Sequence, residues 1–261
     1  MRKLLLVFAL ICVVGLCAFL VKPIQNQEKP KISSIQIDSI IEQDSSTAEK
    51  LYHQLGLSGK LKYEAFEMAF AGYEALPLRN RDIITVIDFT LPSTDKRMYV
   101  LDLKNKKLLF HTIVSHGRNS GEKYATSFSN RHGSYQSSLG FYITENTYQG
   151  GNGYSLVLNG LEKGINDQAK PRAVVIHGAD YCSQQMIKAT GRLGRSYGCP
   201  ALPREVTKPI INMIKDGTML FIYADSEEYL MSSTVLKPSV ETRLAQRDLP
   251  DVELPGKAIL N

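Results

Sequence analysis

The sequence predicts a mainly β, α+β fold: a sandwiched or barrel-like β core with short helices and an N-terminal helical pair. Three observations lead there. Apolar residues recur at steps of three or four until residue 77, and the pattern turns strand-like from about residue 82. The later apolar runs are short and rich in β-branched residues. Glycines crowd the connections, at Gly117, Gly121, Gly133, Gly150, Gly151 and Gly153, as expected where many short strands are joined by tight turns. The 261 residues suffice for one core plus a small appended segment.

At the N-terminus, Arg2 and Lys3 precede an apolar run from Leu4 to Val21. Its length lies between a signal-peptide core and a membrane span. Residues 1–22 are therefore expected to be a signal peptide or membrane anchor, and the chain an exported, periplasmic or cell-envelope protein. Leu16 stands where cleavage after Ala18 would prefer a small residue, which favours an anchor, with the inner membrane as partner of residues 4–21. Residues 23–44 are polar, with Pro23 and Pro30, and read as a tether.

Residues 45–80 are expected to form a helical segment packed on the core. Ser46-Thr47-Ala48-Glu49 fits a capping box, Leu51 and Leu55 share a face, and Gly56 ends the helix. Tyr63, Phe66, Phe70, Tyr73 and Leu76 line a second helix, which Pro77 stops. This aromatic stripe is read as core packing. Residues 81–224 form the expected catalytic domain. Its strands are Ile83–Phe89, a hairpin of Met98–Leu103 and Lys107–Val114, then Gly140–Thr144, Ser155–Leu158 and Ala173–Ile176. A helix at Thr207–Lys215, a turn at Asp216-Gly217 and a strand at Thr218–Tyr223 close it. Residues 225–261 read as a polar C-terminal tail.

The net charge is +5, and residues 170–204 hold Lys170, Arg172, Lys188, Arg192, Arg195 and Arg204 against Asp180 alone. Such a local field favours anionic ligands. Zinc-finger spacing, basic runs interleaved with aromatics and helix-turn-helix signals are all missing, so nucleic acid is not expected as a partner.

The chemistry concentrates in two places. The apolar run Ala173-Val174-Val175-Ile176 ends in His177-Gly178, and a glycine-rich turn presents Ser196-Tyr197-Gly198-Cys199-Pro200. A free thiol is only a few per cent thiolate at neutral pH, and a neighbouring imidazole makes it a competent nucleophile. Cys199 and His177 are thus the candidate nucleophile and base. Gly198 lets backbone approach a substrate, and Pro200 pushes Cys199 towards extended geometry. The Cys199 N–H, with one from the preceding turn, is placed to meet a developing oxyanion. Arg195 and Arg192 are candidate grips for substrate carboxylates. His116, in His116-Gly117, is a candidate second site histidine, with Asn130 and Ser129 as pocket lining. Ser196 and Tyr197 flank the thiol as substrate contacts, although Tyr197 also fits simple packing. No zinc spacing is present, and no metal is expected. Cys182 leaves open a Cys182–Cys199 disulfide, which would mask the thiol.

His-Gly at a strand end followed by Ser-x-Gly-Cys resembles the signature of the L,D-transpeptidases with YkuD-type catalytic domains. The chain is more particularly similar to the murein L,D-transpeptidase catalytic domain family. Ile87-Asp88-Phe89 with Pro92-Ser93, His116-Gly117, Phe128-Ser129-Asn130, Ser137 to Tyr142 and Gly191 to Pro200 carry the likeness, over about residues 50–224. The resemblance implies a mainly β catalytic domain, no cofactor and peptidoglycan stem peptides as partners. It implies that Cys199 attacks the carbonyl of an L-centre, expels a terminal D-residue as a thioester forms, and passes the acyl group to an amine. His177 would move the protons, with Gly178 as a small orienting residue behind it. Water as acceptor would make the enzyme an L,D-carboxypeptidase or amidase, and a non-catalytic envelope-binding module is the reading from another class. Two departures stand out. Pro200-Ala201 replaces the family's aliphatic residue and Arg after the Cys, and Tyr197 stands where His is common.

Overall fold

A computed structural model of the protein describes residues 47–237. The expected signal or anchor, the tether, the Ser46 cap and residues 238–261 lie outside the described residues. Helix α1 spans 47–54 and α2 spans Tyr63–Ala75. Their aromatic stripe packs inward: the Tyr52 ring lies 5.3 Å from Tyr63 and 5.6 Å from the fully buried Phe66. Gly72 is the contact point of α2 on the sheet, because a Cβ there would meet the Phe141 ring at 2.1 Å. That ring cannot retreat freely; it is buried and stacked 4.3 Å from Phe221. Gly72→Ala is therefore expected to lower unfolding free energy by about 1 kcal/mol in urea titrations, overpacking outweighing alanine's helix preference. A stabilised variant would contradict this packing.

Eight strands form one sheet: β1 Ile83–Asp88, β2 Met98–Asp102, β3 Lys107–Thr112, β4 Gly140–Gly150, β5 Gly153–Gly160, β6 Val175–Gly178, β7 Ala201–Leu202 and β8 Met219–Tyr223. Their order is β3-β2-β1-β8-β4-β5-β6-β7. The β1/β8 and β6/β7 pairs are parallel and the others antiparallel. The central strands β1 and β8 are buried along their whole length, which explains their unbroken apolar runs. The chain leaving β3 does not end at the sheet edge. Ser115 bridges to Ala201 and Gly117 to Ser196, so one edge is stitched to the other and the sheet is nearly closed. That seam runs through the segment carrying Cys199.

The mainly β expectation holds, and the departures have local causes. β4 and β5 form a longer hairpin than the apolar pattern suggested, since polar residues continue the pairing past a register shift between Thr144 and Thr147. β6 starts at Val175 because Ala173 is left-handed, with φ 57°. Helix α3, Gln184–Thr190, was not expected; it has no buried residue and so lacks the apolar face that periodicity detects. Helix α4, Arg204–Ile214, starts three residues before the expected helix. The segment read as a tail begins with an ordered helix, α5, Glu227–Ser232. It docks because the buried Glu162 carboxylate accepts hydrogen bonds from Tyr229, Ser233 and the Phe141 N–H.

Candidate active site

β6 delivers His177 and the turn before β7 delivers Cys199. His177 pairs with Ala201 in the parallel β6/β7 register. Cys199 therefore stands two residues upstream, abreast of Val175, whose N–H points at Sγ at 3.5 Å. Sγ also lies 3.7 Å from the Ala173 carbonyl oxygen. The thiol and imidazole share no direct hydrogen bond. Unliganded sites commonly show such looseness and tighten with substrate. Cys199 is partly exposed and free, and Cys182 is likewise free and wholly buried, so no disulfide masks the Cys199 thiol. Burial in its apolar surroundings pushes the Cys182 thiol up to about 12, which makes it inert.

The His177 tautomer follows from one contact. Nδ1 lies 3.1 Å from the Gly178 carbonyl oxygen, which can only accept. Nδ1 therefore carries the proton, and Nε2 keeps a lone pair without a partner among the described residues. Burial lowers the imidazole pKa and outweighs the Gly178 contact. Burial raises that of the Cys199 thiol, opposed by the Val175 N–H and the Arg172 charge. Both directions favour a neutral imidazole and a neutral thiol at rest over a preformed ion pair. Gly178 is required by packing: a Cβ would lie 2.8 Å from Thr207 Oγ1 on α4.

The turn is held from three sides. Ser196 Oγ donates to the Cys199 carbonyl at 2.6 Å and accepts from the Gly198 N–H at 3.0 Å. Ser196 is thus a turn-former with its hydroxyl engaged. The Gly198 N–H is also committed. Ser137 Oγ donates to the Gly198 carbonyl at 3.1 Å and accepts from the Gly117 N–H at 3.0 Å. Gly198, at φ 126°, has room for nothing larger, since a Cβ would sit 2.8 Å from the Gln136 oxygen.

Other expected contacts are rearranged. Arg195 Nη1 donates to the carbonyls of Arg118 and Gly121 and to Glu122, while Arg192 Nε pairs with Glu122 at 2.9 Å. Both arginines share one carboxylate and tie the 113–139 loop to the turn. His116 is fully buried; Arg97 Nη2 donates to its Nδ1 at 2.8 Å, and Nε2 donates to the Gly121 carbonyl. It reaches the turn only through its backbone oxygen, which accepts from the Ser196 N–H. Asn130 is spent on Asp167 and the Gln168 N–H. With Ser129 it lines a cavity of about 460 Å³ that touches neither Cys199 nor His177. Tyr197 is 67% exposed, its ring 4.8 Å from that of the exposed Tyr135 and beneath the Arg118 guanidinium. Arg118, Tyr135 and Arg172 were not singled out from sequence. Nothing in local spacing marks them, because chain folding alone brings residues 118–136 onto the turn.

Among the described residues no group of three His, Cys, Asp or Glu side chains could hold a metal ion. Solved structures with similar stretches include an L,D-transpeptidase from Mycobacterium smegmatis, at 12% identity and TM-score 0.35 over 55% of this chain and 59% of that one. An L,D-transpeptidase mutant from Enterococcus faecium shows 16% identity and TM-score 0.33, over 54% and 50%. A mutant of the helical cell shape determining protein of Campylobacter jejuni shows 15% and 0.40, over 69% and 62%. The chain thus spans between half and about six-tenths of the length of these relatives. A search of curated proteins finds no match. The family model described as L,D-transpeptidase catalytic domain matches residues 57–223. That match covers well over half of the sequence, and the chain belongs to the L,D-transpeptidase catalytic domain family.

Proposed function

We propose that the protein is a cysteine-dependent L,D-transpeptidase of the cell envelope, acting on peptidoglycan stem peptides. The observation that carries this is a free, partly exposed Cys199 in a turn stitched beside the strand of His177, whose unprotonated Nε2 has no partner among the described residues. His177 takes the thiol proton as sulfur attacks the carbonyl of the L-centre. The Cys199 N–H meets the oxyanion, the amine of the terminal D-residue leaves with a proton, and a thioester remains. An amine of a second stem then attacks, His177 takes its proton, and the thiol is restored. Water in place of that amine gives carboxypeptidase chemistry. The apolar run at residues 4–21 supports export, and with the proposed substrate it supports a location in the envelope.

Substrate carboxylates need a cation whose donors are not already engaged. Arg192 and Arg195 are paired with Glu122. Arg118 has no carboxylate partner among the described residues and lies over the exposed Tyr197 ring at the rim of the turn. We assign Arg118 and Tyr197 as the substrate-facing pair. Incubating the full-length chain with disaccharide tetrapeptides and weighing the products by mass spectrometry tests both claims. Crosslinked dimers are expected. Trimmed tripeptides alone would move the enzyme to the carboxypeptidases, and unchanged substrate with an unacylated Cys199 would leave a binding module. Arg118→Ala is expected to raise KM about tenfold, the worth of one charged hydrogen bond, whereas Arg195→Ala, which only loosens the loop carrying Arg118, should raise KM less. The reverse ranking would return the carboxylate to Arg195.

A further inference from the structure

The residue after Pro200 is Ala201, which is buried in β7 and brings no charge to the turn. A different guanidinium reaches it from behind. Arg172 precedes the left-handed Ala173 at the entrance to β6. Nη1 donates to the Ser129 carbonyl at 2.7 Å and to Ser138 Oγ at 2.9 Å. Nη2 donates to the Gln136 carbonyl at 2.6 Å and to Ser134 Oγ at 3.3 Å. The same nitrogen would lie only 3.2 Å from a Cβ placed on Gly198. The guanidinium therefore packs against the backbone of the residue beside the nucleophile.

All four acceptors are neutral, and no carboxylate pairs with Arg172 among the described residues. Holding a half-buried cation with neutral partners alone is costly. Hydrogen bonding to two carbonyls and two hydroxyls does not require a charge, and a neutral donor would do it at lower desolvation cost. The cation is accounted for if an anion forms next to it during the reaction. We infer that Arg172 is a positioning residue that both clamps the Ser129–Ser138 loop against the Cys199 turn and stabilises the Cys199 thiolate. This rests on Cys199 being the nucleophile. Consistent with it, the Arg172 charge pulls the thiol down against burial, and the thiolate in turn opposes the desolvation of Arg172.

The test is the pH dependence of iodoacetamide alkylation at Cys199, resolved by peptide mass spectrometry, in the full-length chain. Wild type is compared with Arg172→Lys, Arg172→Gln and Arg172→Met. Removing the charge is expected to move the inflection up by about one pH unit and to slow alkylation at pH 7 about tenfold. Lys, which restores a charge but not the forked geometry, should keep an inflection nearer wild type. Alkylation of the buried Cys182 reports unfolding, and if Met unfolds the protein, Gln carries the comparison because it keeps donors without charge. Superimposable profiles in a folded uncharged variant overturn the role of Arg172 alone. A wild-type Cys199 that resists alkylation at every pH overturns the nucleophile itself.

Discussion

Cys199→Ala is expected to reduce acyl transfer by about 10⁴-fold or more while leaving the fold unchanged, as nucleophile removal does in other covalent catalysts. The structural cost is small because the hydrogen bonds of Sγ among the described residues are long ones, with the Val175 N–H and the Ala173 carbonyl. His177→Gln should cost about 10²- to 10⁴-fold, the usual range for a positioned general base. The double variant should be no slower than Cys199→Ala, since the two groups act as one unit. Burial holds the His177 pKa below its ordinary 6.5, so the imidazole is already neutral at pH 7 and the acid limb of the rate profile should fall below that value. Single-turnover rates with a tetrapeptide donor, beside thermal melting by circular dichroism, measure all of this. A Cys199→Ala enzyme within tenfold of wild type would remove the thiol from the mechanism.

Acidification is expected to cost about 3 kcal/mol of folding stability through His116 alone. Burial first, and then the neighbouring Arg97 charge, depress its pKa from 6.5 to about 4. Between those values the unfolded chain binds the proton and the folded chain does not. The contribution is therefore complete above about pH 6.5, declines as pH falls, and is gone by about pH 4. The group is fully buried, so solvent does not screen the effect. Glu162 works in the opposite sense: burial raises its carboxyl pKa above 4.5, so its contribution is whole at low pH and is lost as pH rises through the raised value. His116→Asn keeps an acceptor for Arg97 while removing the titration. Urea unfolding at pH 7.5 and pH 4 should show the variant losing about 3 kcal/mol less than wild type. Equal losses would show that His116 does not titrate as its surroundings require.

The legible parts of the fold were those written in local periodicity. The Tyr63–Leu76 stripe and the Ile83–Asp88 and Met219–Tyr223 runs carry their own signal, because one face or both faces of each must leave water. Helix α3 has no buried face and β4 extends past Thr144 through polar residues, so the helix and the far half of that strand were not visible. Helix α5 depends on Glu162, 67 residues before Tyr229; no local pattern announces that a carboxylate waits in the core.

The chemistry was likewise divided. Residue type and order alone nominate Cys199 and His177, since a thiol in a glycine-rich turn and an imidazole ending a β-branched run have few other uses together. Partner choice belongs to the folded chain. Arg192, Arg195, Arg118 and Arg172 are equivalent cations in one dimension. The closing of the sheet at Ser115 and Gly117 brings Glu122 to the first two, leaves Arg118 open above Tyr197, and sets Arg172 behind Gly198. Charges act through distance in space, and that distance exists only once β3 and β7 meet.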